Sequence, residues 1–196
     1  MRAPTVTTVA TAVLLCSLAT AASAQELVAN GGFETGTFSS WTPVGNTLFQ
    51  GPASGGGHTG SFGAAFGAVG TPGGISQTLT TVAGATYTFS FWLQLDLGAP
   101  FSGEADWNGA AVFSMASATP SNALYNYAQQ SFTTTATGTS TVIQFLFRDD
   151  PGSWLLDDVS VVGTSVSVTP EPATMGMLAS GLLGLVAIGR RRKPTE

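Results

Sequence analysis

The run Ala85 to Asp96, ATYTFSFWLQLD, narrows the choice of fold more than any other stretch of the chain. Tyr87, Phe89, Phe91, Leu93 and Leu95 alternate there with Thr86, Thr88, Ser90, Trp92, Gln94 and Asp96. A period of two puts one set on each side of a pleated strand, whereas a helix would mix them. Thr141 to Asp149 follows the same rule, with Ile143, Phe145 and Phe147 on one side and Val142, Gln144, Leu146 and Arg148 on the other. ADWNGAAVFSM holds Asn108-Gly109 between two extended runs, a hairpin signal because both residues tolerate positive φ. Further strands are expected near Leu27 to Asn30, Thr47 to Gln50, Ser61 to Val69, Ile75 to Thr81, Tyr127 to Thr135 and Trp154 to Val162. The whole makes about nine short strands with Gly-, Ser- or Pro-rich turns, and no internal repeat or helical period interrupts them. The expected fold is all-β, an antiparallel sandwich or jelly roll with aromatic side chains between its sheets.

The two ends read differently and are set aside from the fold. Residues 1–24 have the form of a secretory signal: Arg2, an apolar stretch from Val9 to Leu18, and an Ala22-Ser23-Ala24 cleavage site. Cys16 lies inside it without the small preceding residue that lipid attachment favours. Its removal leaves a mature chain without thiols, so disulfides, thiolate zinc sites and cysteine nucleophiles drop out together. At the other end, Ala173 to Gly189 is 17 residues without a charge. As a helix it would extend about 26 Å, close to the lower limit for crossing a bilayer. Arg190, Arg191, Arg192 and Lys193 follow and would hold that end in the cytoplasm, so the body faces outward. Residues 164–172 form a linker in which Pro170 and Pro172 keep Glu171 extended and accessible, and residues 190–196 are a basic tail.

This ordered set, from about Val168 to Lys193, resembles the PEP-CTERM sorting signal of exopolysaccharide-producing Gram-negative bacteria. The resemblance implies that an exosortase recognises Pro170, Glu171 and Pro172 while the apolar segment sits transiently in the inner membrane. It then removes the tail, with Arg190, Arg191 and Arg192, and releases the body to the cell surface or extracellular matrix.

The body, residues 25–163, has nine acids against one strong base, Arg148. That sign repels phosphate backbones and argues against nucleic-acid partners. Its many Thr, Ser, Gly and Asn suit neutral, hydroxyl-rich partners or divalent cations. NGGFETGTFSSW at Asn30 to Trp41, HTGSFGAAF at His58 to Phe66 and SWLLDDVSV at Ser153 to Val161 are similar to the galactose-binding-type jelly roll of many carbohydrate-binding modules. In that fold the first and last strands lie close together, and a structural calcium ion often joins them. The resemblance points to Glu34 and Asp157 as calcium ligands, with carbonyls near Thr59 or Gly60.

The residues bear on calcium independently. Asp157 shares parity with Leu155, Val159 and Val161, so a carboxylate would enter the core with them, and an unpaired buried carboxylate is costly. A hard cation such as Ca²⁺ would satisfy it; hydrogen bonds from loop amides or Tyr hydroxyls would do so without metal. Asp158, of opposite parity, should face solvent or a loop.

For a sugar, the expected hardware is an aromatic face flanked by hydrogen-bonding groups. Trp92 lies on the polar side of its strand with Gln94, and Gln144 and Arg148 would join them if the two strands are neighbours; alternatively, Trp92 packs under a loop. Trp107 is expected to pack across the hairpin, and Trp41 and Trp154 to lie in the core or at its edge. Catalysis has little support, because His58 has no serine elbow or histidine partner. Glu104 and Asp106 share a face at a spacing that does not by itself exclude glycoside hydrolysis. The expectation is a non-catalytic, polysaccharide-associated binding or matrix protein. An adhesive envelope protein working through protein contacts is second, and a glycan hydrolase third.

Overall fold

The computed structural model describes residues 25–164 apart from Leu97, Pro120, Asn122 and Ala123. The leader, the expected membrane helix, the basic tail and nearly all of the sorting linker lie outside the described residues. Within them there is no helix, and hence none long and apolar enough to cross a membrane.

The ten strands are β1 (Thr42–Gly45), β2 (Gln50–Ser54), β3 (Phe62–Phe66), β4 (Gly73–Thr80), β5 (Thr86–Leu95), β6 (Phe101–Trp107), β7 (Ala110–Ser117), β8 (Ala128–Thr135), β9 (Ser140–Asp149) and β10 (Trp154–Gly163). They form two antiparallel five-stranded sheets, ordered β1-β4-β9-β6-β7 and β2-β3-β10-β5-β8, which makes the jelly-roll sandwich that the sequence pattern calls for. Asn108 and Gly109 turn β6 into β7 with φ of 52° and 81°, both in the left-handed region that a tight hairpin needs.

Alternation in the two long strands builds the core. Tyr87, Phe89, Phe91, Leu93 and Leu95 of β5 are buried, and they meet Ile143, Phe145 and Phe147 of β9 from the facing sheet. Phe145 sits at the centre, edge-on to Phe91 at 5.0 Å and to Phe89 at 5.8 Å, with Trp41 at 6.1 Å. Each such ring, fully buried, contributes about 2–3 kcal/mol, so Phe145→Ala should cost about 3–5 kcal/mol. Trp154 stacks on Phe147 at 5.2 Å, and its indole N–H donates to the Arg148 carbonyl. Gly103 lets the ring lie flat on β6, since a Cβ there would stand 2.8 Å from Trp154. Trp107 does not pack across the hairpin as expected but points into the core against Tyr87 and Phe89 of the facing sheet, because the inward side of β6 places it there, and Trp41 and Trp154 are core residues.

Two expected strands are displaced. Leu27 to Asn30 is not a strand: the chain meets β10 there through the isolated Glu26–Val162 bridge and the Leu27 amide donating to the Val161 carbonyl at 3.0 Å, and Thr47 to Gln50 is mostly the β1–β2 connection. The strands in that region are instead β1 and β2, which contain Pro43 and Pro52. Both are edge strands, where a residue without an N–H is tolerated, so propensity alone hides them.

The parity of β10 also differs from the expectation. Leu156, Val159 and Val161 face the core, while Leu155 pairs with Gln94 and Asp157 with Trp92 on the outer side. A bulge between Asp157 and Ser160, with Asp158 at a φ of 47°, inserts the extra residue that resets the alternation. Asp157 is fully buried, as expected, but beneath a loop on the outside of its sheet and not in the core.

Candidate functional site

Each sheet has an outer face carrying acids, and the chain treats the two faces differently. On the β10–β5 face, the loop leading into β3 folds back over the bulge. The His58 and Thr59 amides donate to Asp157 Oδ2 at 2.7 and 3.0 Å, and the Asp158 amide donates to Asp157 Oδ1 at 2.8 Å. Burial raises the Asp157 pKa, with these amides opposing it and the neighbouring Asp158 charge adding to it. Asp158 faces the same loop, meeting His58 Nδ1 at 2.8 Å and accepting from the Thr59 hydroxyl at 2.7 Å. Glu34 clamps the far side of this loop by accepting the Ser61 and Phe62 amides at 3.0 and 2.9 Å. Gly60, at a φ of 65°, has no room for a side chain because a Cβ would collide with the Glu34 carboxylate.

The structure thus brings Glu34, Thr59, Gly60 and Asp157 together, with loop amides occupying both carboxylates. Among the described residues no group of three or more His, Cys, Asp or Glu side chains is arranged to hold a metal. The hydrogen-bonding alternative for Asp157 is therefore present in full, and the calcium expectation rests on its carboxylate and carbonyl oxygens alone.

The same loop covers Trp92. The His58 ring lies on the indole at 3.7 Å and 13°, and Tyr127 packs edge-on to His58 at 5.5 Å. Tyr127 donates its hydroxyl to the Gly56 carbonyl, while burial, then Asp157 and Asp158, push its pKa well above the ordinary phenol value. Trp92 is half-buried, with one face covered by imidazole, which matches the packing alternative. Gln94 is on the same outer face, next to Leu155.

Gln144 and Arg148 do not join them. They lie on β9 in the other sheet, so the sandwich separates them from Trp92 and Gln94, and the condition that the strands be neighbours fails. Arg148 pairs with Asp150 Oδ2 through Nε at 2.9 Å and also through Nη2. That guanidinium holds the Asp150 carboxyl below its usual range.

Gln144 has other company. Across β4, β9 and β6, Ser76, Gln144 and Asp106 stand in one register row on the outer face, and Glu104 follows on β6 opposite Leu146. Asp106 is buried, and its Oδ1 has no hydrogen-bond partner among the described residues. The Glu104 carboxyl is raised above its ordinary range by burial, then by the Asp106 charge and a hydrogen bond with it. A face with an amide, two carboxylates and one unfilled buried acceptor is suited to receive hydroxyl donors. The sequence marked Glu104 and Asp106 only as a candidate hydrolytic pair. Their link to Gln144 and Ser76 depends on strand order, which a single sequence does not display.

A family profile described as a carbohydrate binding domain matches residues 25–152, and a PEP-CTERM protein-sorting motif matches residues 168–193. No curated protein matches the chain. Among solved structures, TmCBM61 in complex with beta-1,4-galactotriose is similar at 18% identity and a TM-score of 0.55, over 71% of this chain and 99% of that one. The CBM22-1 xylan-binding domain from Paenibacillus barcinonensis Xyn10C is similar at 14% identity and a TM-score of 0.54, over 74% and 97%. The CBM22-1-GH10 modules of Clostridium thermocellum xylanase 10B, complexed with xylohexaose, give 13% identity and a TM-score of 0.54, over 71% and 29%. At these identities the likeness is one of fold.

Proposed function

This chain belongs to the carbohydrate-binding domain family, and on that premise we propose that it is an exported protein whose body binds a polysaccharide without cleaving it. The binding surface in this reading is the outer face of β4, β9 and β6, with Ser76, Gln144, Asp106 and Glu104 receiving and ordering glycan hydroxyls. One observation carries the choice of face: Asp106 Oδ1 is a buried acceptor without a donor, a costly state that a ligand hydroxyl would relieve. Glu104 and Asp106 work here as hydrogen-bond acceptors. They are neighbours two positions apart on one strand, so both reach the same side of any bound chain instead of flanking a scissile bond.

Glu34 and Asp157, with carbonyl oxygens of Thr59 and Gly60, would hold a calcium ion that fastens the loop over the bulge. Oxygen-only ligands of this kind suit that ion, and its part is structural. Export follows from the tail: the sorting motif supports recognition of Pro170, Glu171 and Pro172 by an exosortase, with membrane transit before release.

The test is binding of the full chain to the host's own exopolysaccharide and to a glycan panel, with wild type beside Asp106→Asn and Gln144→Ala. The reading expects binding in wild type, weakening in both variants, and no new reducing ends. Absence of any binding would defeat it, and release of sugar that stops with Glu104→Gln would convert it to the hydrolase. For sorting, Glu171→Ala in an exosortase-bearing host should leave the tail uncleaved by intact mass; unchanged processing would count against that step.

A further inference from the structure

An open sheet ends on strands whose outer N–H and C=O groups lack a ladder partner, and such edges recruit other strands unless something blocks them. This sandwich has four edges: β1 and β7 bound one sheet, β2 and β8 the other. Three of them are guarded. β1 is four residues long and contains Pro43, and β2 is five residues long and contains Pro52. β7 is bulged: Ala105 pairs with Phe113 and Asp106 with Ala111, which leaves Val112 as an extra residue that bends the strand. β8 has none of these devices. Its eight residues, AQQSFTTT, hold no proline and no charge, and they pair with β5 in unbroken register from Thr86↔Thr135 to Leu93↔Ala128. From outside β5, the Trp107 indole N–H donating to the Thr135 carbonyl at 3.2 Å is the one hydrogen bond to the β8 backbone among the described residues.

The core beneath this edge is incompletely closed. Phe113 of β7 and Phe132 of β8 both stand on Phe91, each at 6.1 Å, so the two edges share one flank of the sandwich. Both rings, with Met115 and Ala128, pack against the core yet are only half-buried. The outer side of β8 is neutral: Ser131, Thr133 and Thr135 are exposed, and their β5 partners are Ser90, Thr88 and Thr86.

A strand that fits here needs the properties of β8 itself: extended residues without proline or charge, polar on the outer side and apolar on the inner. The body has nine acids against one strong base, so a second copy is repelled over most of the surface but meets no like charge along β8. We propose that the chain forms a homodimer in which β8 pairs antiparallel with β8 of a second copy about a two-fold axis at Phe132. That register sets Phe132 against Phe132 on the inner side and Ser131 against Thr133 on the outer side, and it joins two five-stranded sheets edge to edge. The axis stands perpendicular to the sheet, so the β4-β9-β6 faces of both copies point the same way. A dimer would then hold one polysaccharide at two points, a consequence that rests on the glycan reading, whereas the dimer itself does not.

Sedimentation velocity of the full chain in mild detergent, across a wide range of concentration, tests the pairing. The variants are Ser131→Lys/Thr133→Lys on β8 and, as control, Thr42→Lys on the exposed end of β1. Wild type and Thr42→Lys should dimerise alike. The double lysine variant should dimerise about tenfold more weakly or not at all, because like charges then stand opposite each other across the pair. Its glycan binding should persist, since β8 belongs to the other sheet, so loss of the dimer and loss of the glycan site are separate readouts. If that variant does not fold, Ser131→Cys/Thr133→Cys in a Cys16→Ser chain decides: a short thiol cross-linker should join two copies covalently, and Thr42→Cys should give no such product. A monomeric wild type, a double lysine variant that dimerises as wild type does, or β8 cysteines that fail to link would overturn the proposal.

Discussion

On the β10–β5 face, Asp157 and Asp158 are supplied with donors by the loop before β3, whereas on the β9–β6 face Asp106 keeps an acceptor unfilled. Both faces place aspartates on outward positions of central strands. The difference is a loop: Gly55 to Gly57 let the chain double back so that His58 and Thr59 reach the bulge, and among the described residues nothing comparable donates to Asp106 Oδ1. An outward acid thus becomes architecture where backbone amides meet it and a receiving group where they do not. The aromatic ring divides in the opposite sense: Trp92, the side chain most suited to stack on a sugar, is on the face that the loop closes.

The largest expected effect would break the closed face. Asp157→Ala removes the acceptor of three amides and should cost about 3 kcal/mol or more in denaturant unfolding, because charged hydrogen bonds are lost and buried donors are stranded. Glycan affinity of the folded fraction should not change. Next, Asp106→Asn and Gln144→Ala should each weaken glycan binding about tenfold, or about 1.4 kcal/mol, with little change in unfolding midpoint. A midpoint collapse with intact affinity would mean that the open face is also structural. His58→Ala should lower stability by about 1 kcal/mol through loss of the ring stack, and shift tryptophan emission to the red as Trp92 meets water. If that variant binds glycan more tightly, the assignment of roles to the two faces reverses. The smallest effect is in pH. Burial, then the Asp106 charge and a hydrogen bond with it, hold the Glu104 carboxyl above the ordinary glutamate range, and an ionised carboxylate is the stronger acceptor, so affinity should rise as pH passes upward through that titration. Glu104→Gln should flatten the profile.

The closed face was partly legible in the sequence. Glu34 and Asp157 are the residues that the motifs single out, and they meet around one loop. Their surroundings were not, since one left-handed residue, Asp158, shifts β10 by a position, and alternation counted across a bulge returns the wrong side. The long strands were plain because each satisfies the period by itself. Strand order was hidden, which is why Gln144 and Arg148 were joined with Trp92 from the far side of the molecule.

The Glu26–Val162 bridge has a practical side. Because the body enters and leaves its fold at neighbouring points, it is a cassette. It could be spliced into an exposed loop of an unrelated carrier with short spacers and little disturbance to its host, which is the geometry that domain insertion requires.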